Sequence, residues 1–285
     1  MLLYPNAKLN LGLRVTGRRM DGYHTLQTIF YPLPLCDVLE VAPSRDQRDH
    51  LYISGRGYVD DPNNLVIKAL KSLRNRLGDD MVPPTTIALD KHIPSMAGLG
   101  GGSSDGAFTL NLLNEIYNLN LSQDELSKIA LSLGADCPFF LLNSAALATG
   151  IGEELEPLPN LSLSGCSVLV VRPPIDVSTP KAYAALGFDR GEQREGLPIE
   201  VLQLLRDGHF EDASKWLTND FENVVFEEYP RLRNIKDILI QNGAFFSLMS
   251  GSGSAIYGLF EDVKDAEKLI SHRDFEDCFR RCLSL

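Results

Sequence analysis

Gly98-Leu99-Gly100-Gly101-Gly102-Ser103-Ser104 is the stretch on which the reading of this chain turns. Four of its first five residues are glycine, and it stands between two differently patterned runs. Thr86 to His92 reads as a strand, whereas Ser103 to Tyr117 carries apolar residues at Ala107, Leu110, Leu113 and Ile116, the spacing of a helix with one buried face. A strand that opens through glycines onto a helix N-terminus turns consecutive backbone N–H groups, and the positive end of the helix dipole, toward an anion. Nucleotide phosphates suit such a loop. A merely flexible connection is the alternative, but glycine at this density is entropically costly unless a tight turn or a ligand requires it. The loop is not a Walker loop, which needs Gly-Lys-Ser/Thr, nor a dinucleotide fingerprint, because Ser103 stands where the third glycine belongs. Ser103 and Ser104 can cap the helix, contact phosphate or hold magnesium, and the sequence leaves these three roles open.

Working outward toward the N-terminus, Ala7, Leu9, Leu11, Leu13 and Val15 alternate with Lys8, Asn10, Gly12 and Arg14, predicting a half-buried strand with Lys8 and Asn10 on one face. Lys8 is a candidate for stabilising charge on a transferring phosphoryl group; most lysines are simply solvated. Gly17 to His24 reads as a polar loop in which Tyr23 and His24 are adjacent, a ring that stacks beside an imidazole that hydrogen-bonds, as recognition of a heterocyclic base requires. Strand-like runs follow at Asp37 to Ala42 and His50 to Ser54, then a helix from about Asn64 to Leu77, capped by Asn63 or Asn64 and stopped by Gly78.

On the other side of the loop, Ser122-Gln123-Asp124-Glu125 is a capping box that starts a second helix, and Gly134 ends it. Asp136 lies between that stop and Pro138, where a carboxylate can take the proton of an attacking hydroxyl or serve as a turn or capping residue. Pro138 is expected to prevent helical continuation, with Phe139 to Leu142 and Ala145 to Ala148 returning to the core. Gly150 to Gly165, rich in Gly, Pro, Glu and Ser, is the candidate domain boundary. Beyond it, Ser167 to Val171 reads as a buried strand, Thr179-Pro180 as a helix start, and Ile199 to Leu205 as a helix. Phe245 to Ser250 and Ala255 to Phe260 read as two strands joined by Ser250-Gly251-Ser252-Gly253-Ser254, and a helix follows around Val263 to Ile270.

The 285 residues, 44% hydrophobic, suffice for two domains. A formal charge of -11 argues against a nucleic-acid partner, since that affinity comes from Lys and Arg displacing counterions. No run approaches the ~18 apolar residues of a membrane span, and no basic-then-apolar leader opens the chain, so a soluble cytoplasmic protein without a membrane partner is expected. The five cysteines are scattered as reduced thiols would be. Cys278 and Cys282 are spaced to share a helix face, but no second Cys/His pair is near to complete a zinc site.

Taken together the motifs resemble the GHMP kinase superfamily. They are Pro5-Asn6-Ala7-Lys8-Leu9-Asn10-Leu11 with Gly17-Arg18-Arg19 and Asp21-Gly22-Tyr23-His24, Ile93-Pro94 through Ser104, Leu133-Gly134-Ala135-Asp136 with Pro138-Phe139-Phe140, and Ser250 to Ser254. Lys-Leu-Asn-Leu with Asp-Gly-Tyr-His resembles the branch that acts on a cytidine diphosphate-linked methylerythritol. The resemblance implies an α+β fold of two domains, residues 1–155 like the second domain of ribosomal protein S5 and residues 165–285 ferredoxin-like, the substrates meeting in a cleft between them. It implies ATP with Mg2+ as phosphoryl donor, held by Pro94, Gly98, Leu99, Gly100, Gly101, Gly102, Ser103 and Ser104. Asp136 would be the base, with Lys8 beside it, and Asn10 would contact the methylerythritol. Tyr23 and Tyr183 would lie on the two faces of cytosine with His24 hydrogen-bonding it, and Thr179, Gly251, Ser252 and Gly253 would complete the substrate site. The magnesium position is left open between Ser103 and Ser104, and a monomer or weak homodimer is expected.

Three positions depart from the family pattern: Met96 where glycine is frequent, Asp105 where asparagine is common, and Gly106 where alanine is usual. An acid close to a phosphate site is unfavourable unless it binds metal or turns away. The alternatives are another kinase of the superfamily, of mevalonate or homoserine type, which Asp21-Gly22-Tyr23-His24 opposes, and a silent nucleotide-binding sensor, which would have lost Lys8 or Asp136.

Overall fold

Asn64 shows how closely local chemistry is obeyed in the computed structural model, which describes residues 1–55 and 64–285. Its side chain accepts the N–H of Val66 at 2.9 Å and starts the helix Leu65–Leu77, which Gly78 ends. Asn63, the other cap candidate, lies outside the described residues. Val66, Ala69, Leu70 and Leu73 are the buried residues of this helix, the three-and-four spacing of one apolar face. The capping box forms as expected: Glu125 N–H donates to Ser122 Oγ and Ser122 N–H to Glu125 Oε2, opening the helix Gln123–Leu133.

The residues cluster into two compact units that do not follow chain order. The first comprises Met1–Lys8, Leu35–Ser95 and Gly100–Asn143. Its sheet runs in the order Leu2–Leu3, Val38–Pro43, Thr85–Lys91, His50–Gly55, the last pair parallel and the others antiparallel. Val38 pairs with Asp90 and Thr86 with His50, and Thr85–Lys91 alternates buried and half-buried residues along its length. Helices Leu65–Leu77, Gly101–Ile116, Gln123–Leu133 and Cys137–Leu142 supply the rest, and Leu39, Ile87, Leu70, Leu110, Leu113 and Leu126 share one core. The helix after the glycine loop begins at Gly101, two residues before the expected Ser103, because Gly101 and Gly102 already lie in its first turn.

Pro138 corrects an expectation. It does not stop a helix but begins one, Cys137–Leu142, because in the first turn its missing N–H is an orphan donor in any case.

The second unit comprises Leu9–Pro34, Met96–Leu99 and Ser144–Leu285. One sheet is antiparallel in the order Phe246–Met249, Ile256–Phe260, Ser167–Arg172, Phe279–Ser284. Helices Phe221–Glu228, Pro230–Gln241 and Val263–Leu269 share a core with it through Phe221, Leu232, Leu239, Leu269 and the strand residue Phe260. A second sheet runs Asn6–Arg18, His24–Cys36, Ala146–Thr149, Glu154–Pro157.

Two further expectations change here. The strand expected to be half-buried is buried on both faces from Asn6 to Leu13. Glu154–Pro157, inside the expected linker, pairs antiparallel with Ala146–Thr149 as a hairpin.

Cys282 lies in a strand, so it shares no helix face with Cys278. Among the described residues no group of three or more His, Cys, Asp or Glu could hold a metal ion. No described helix is long and apolar enough to cross a membrane.

Candidate active site

In the first unit Lys8 and the starts of the helices Gly101–Ile116 and Cys137–Leu142 come together. Lys8 is 3% exposed, and its Nζ lies 3.5 Å from Asp136 Oδ2. Burial pulls the Lys8 ammonium below its ordinary range, and the Asp136 carboxylate opposes the shift. Asp136 occupies the N-cap position of Cys137–Leu142, yet its side chain makes no capping bond, which leaves the carboxylate to Lys8. The capping role weighed for it is therefore not the one it plays.

Gly100 packs on the same lysine: an added Cβ would sit 3.0 Å from Lys8 Cγ and 2.7 Å from Phe140 Cζ. Gly101 is as tightly enclosed, 2.8 Å from Ile93 Cγ2, whereas Gly102 has open space on its Cβ side. Ser104 is fully buried and its Oγ has no hydrogen-bond partner. Ser103 is partly buried, and the nearby Cys137 thiol is pushed up by burial to about 12. Pro94, also partly buried, precedes the turn.

The departures at Asp105 and Gly106 find their explanation here. Asp105 turns inward, 3% exposed, and its Oδ2 accepts from Lys91 Nζ at 2.5 Å. Gly106 is where two helices touch: a Cβ there would be 3.0 Å from Leu65 Cβ, so the missing side chain permits the approach.

The second unit brings the other candidates together. Gly98 lies against the Ser250 carbonyl, Ser250 Oγ donates to Gly98 O at 2.8 Å, and Ala255 N–H donates to Ala97 O. Leu99 is 1% exposed, so it offers a ligand only its backbone. Asn10 is 2% exposed; its Nδ2 donates to Thr28 Oγ1 and its N–H to Ser250 Oγ. Thr179 and Ser252 share a hydroxyl hydrogen bond at 2.7 Å, and Gly251 and Gly253 have positive φ of 58° and 96°.

His24 stacks on Tyr183, ring centroids 4.6 Å apart, and meets Phe188 edge-on. The imidazole thus covers one face of the Tyr183 ring, since two flat rings bury apolar area well by stacking. Burial, helped by the Arg18 charge, keeps the His24 imidazole below its ordinary value and so neutral near pH 7. Tyr23, 63% exposed, is not brought into contact with them.

Sequence reasoning missed Asn219, which is 3% exposed and donates to the carbonyls of Met249 and Gly251, both at 2.7 Å. It also missed Asp37 and Lys91. An aspartate just before a strand and a lysine at the end of one are the only traces they leave in the sequence.

The family profile described as GHMP kinases N terminal domain matches residues 64–144, and that described as GHMP kinases C terminal matches residues 201–273. A 4-diphosphocytidyl-2-C-methyl-D-erythritol kinase of Porphyromonas gingivalis is 44% identical over 284 residues, 98% of each chain. The kinase of that name in Chlorobaculum tepidum is 45% identical over 92% of this chain and 90% of its own. A crystal structure of 4-(cytidine 5'-diphospho)-2C-methyl-D-erythritol kinase aligns over all of both chains with TM-score 0.79 and 34% identity. A mevalonate kinase of Methanococcus jannaschii, 15% identical with TM-score 0.66, shares the fold. The chain belongs to the GHMP kinases and, within them, to the 4-diphosphocytidyl-2-C-methyl-D-erythritol kinase family.

Proposed function

We propose that this chain transfers the γ-phosphoryl group of ATP to the 2-hydroxyl of 4-diphosphocytidyl-2-C-methyl-D-erythritol, giving the 2-phosphate and ADP in non-mevalonate isoprenoid precursor biosynthesis. The observation that carries the reading is the Lys8–Asp136 pair beside Gly100 in the glycine loop. Asp136 takes the proton of the substrate hydroxyl, and Lys8, its ammonium beside that carboxylate, steadies the charge that builds up on the phosphoryl oxygens. Backbone N–H groups of Gly98 to Ser104 hold the phosphates, with Pro94 shaping the approach and the helix Gly101–Ile116 directing its dipole at them.

The buried, unpartnered Ser104 hydroxyl fits a magnesium ion bound with ATP, and partly buried Ser103 is the second candidate. Magnesium would neutralise phosphate charge. Asn10 takes the methylerythritol, and Tyr23, His24 and Tyr183 take the cytosine. A neutral imidazole, held flat by Tyr183, can donate from one nitrogen and accept at the other. Thr179, Gly251, Ser252 and Gly253 flank the same substrate. We assign 1–155 and 165–285 as the two domains, since the matched segments fall one in each, and place the protein in the cytoplasm as a monomer or weak homodimer.

The test is ADP release with ATP and magnesium against mevalonate, homoserine, galactose and the cytidine-linked methylerythritol. Only the last is expected to react, and reaction with mevalonate or homoserine would replace this assignment. Asp136→Asn is expected to keep nucleotide affinity and lose turnover; retention of more than about a tenth of wild-type kcat, a loss under ~1.4 kcal/mol, removes Asp136 as the base.

A further inference from the structure

Three charged side chains of the first unit lie buried with no part in the chemistry above. Asp37, fully buried, accepts the N–H groups of His92 and Ile93 on Oδ1, the Ile93 bond at 2.8 Å, and the Lys91 ammonium on Oδ2. Lys91, 8% exposed, ends the strand Thr85–Lys91 and also donates to Asp105 on the helix Gly101–Ile116. A Cβ on Gly101 would come within 3.4 Å of Lys91 Nζ, so the ammonium sits against the first residue of that helix. One carboxylate therefore grips the chain just before the loop, one is carried by the helix just after it, and the lysine joins them.

Such a network makes no contact with a hydroxyl to be phosphorylated, but it fixes the separation and tilt of the segments on which the phosphate-binding N–H groups are mounted. Resting on the kinase reading given above, we propose that Asp37, Lys91 and Asp105 form a charged clasp that fixes the ends of the phosphate loop for ATP, Asp37 and Asp105 being positioning residues for the nucleotide.

The clasp holds two acids and one ammonium, so full ionisation leaves an uncompensated negative charge in a dry place. Asp105 is tied to the lysine through Oδ2, its Oδ1 having no hydrogen-bond partner. Burial acts to lower Lys91, yet the charges of Asp105 and Asp37 hold it above its ordinary range, so it stays cationic. Cys137, on the short helix packed against the same helix, is pushed up to about 12 and stays neutral.

The experiment is calorimetric titration of ATP, and separately of the cytidine substrate, into wild type, Asp105→Ala, Asp105→Asn and Asp37→Asn at one pH. Asp105→Ala, which removes the acceptor for Lys91, is expected to weaken ATP by roughly threefold to tenfold, and Asp105→Asn, whose amide oxygen can still accept from Lys91, by under about twofold. Asp37→Asn, which breaks the clasp at its centre, should weaken ATP by about tenfold, and in all three variants the Kd of the cytidine substrate is unmoved.

Asp105→Ser removes the carboxyl a second way should Asp105→Ala fail to fold. Unchanged ATP affinity in the folded variant that lacks the carboxyl, or equal losses for both substrates there or in Asp37→Asn, would overturn the clasp alone. A wild type that does not bind ATP at all would overturn the proposed function and the clasp with it.

Discussion

The molecule has two glycine-rich turns, and their glycines serve different ends. In Gly98 to Gly102 three of the four are enclosed by the protein itself: an added Cβ would lie 1.9 Å from Ser250 O at Gly98, 2.7 Å from Phe140 at Gly100 and 2.8 Å from Ile93 at Gly101. Gly102 alone faces open space and is exposed. In Ser250 to Ser254, a Cβ on Gly251 would meet its neighbours only at ordinary contact distance, and on Gly253 it would meet the flexible Met249 side chain at 2.7 Å. Glycine density is therefore not one signal. In the first turn most of it serves close packing around the turn, and one position faces open space.

Gly98→Ala is the harshest way to break this contrast. The new methyl would collide with backbone rather than with a side-chain tip, and φ at Gly98 is +76°, which L residues rarely adopt. A loss of about 3 kcal/mol or more is expected, read by urea denaturation; a loss under about 1 kcal/mol would mean that the turn yields and the cradle is not rigid. Gly102→Ala separates function from packing. Stability should stay level or rise by up to ~1 kcal/mol, because alanine is the better helix former. KM for ATP should nevertheless increase about tenfold, with KM for the cytidine substrate unchanged. An unchanged KM for ATP would show that Gly102 does not face the phosphates.

Much of this was legible in the sequence where the determinant is local. The Ser122–Glu125 capping box, the Asn64 cap and the strand along Ala7 to Val15 each depend on residues within a few positions, and each forms. What escaped depends on distant partners. The His24–Cys36 strand contains Pro32 and Pro34, which weaken its β signature, and it is held by pairing with Ala146–Thr149, more than a hundred residues away. Burial on both faces of the first strand follows from what packs on it, not from its own pattern. Among site residues, Lys8 and Asp136 were marked by their motifs and lie together, 3.5 Å apart. Asn219 joins two carbonyls some thirty positions downstream, and Asp37 reaches His92 and Ile93 across 55 and 56 positions; such links leave no spacing to read.

Met96 offers the smallest and sharpest test of the same contrast. It sits two residues before Gly98 with φ +52° and 63% of its surface exposed, a large apolar side chain in a backbone region that suits glycine. Nothing in its exposure repays that strain. Met96→Gly should relieve it and gain up to ~1 kcal/mol, less what the unfolded chain gains in freedom. Met96→Val, β-branched at positive φ, should lose about as much. Neither should move KM for ATP beyond twofold if the cradle is set by the enclosed glycines and not by the residue leading into them. A destabilised Met96→Gly would show that the methionine side chain holds the turn, and the rigidity argued for Gly98 and Gly100 would have to be shared with it.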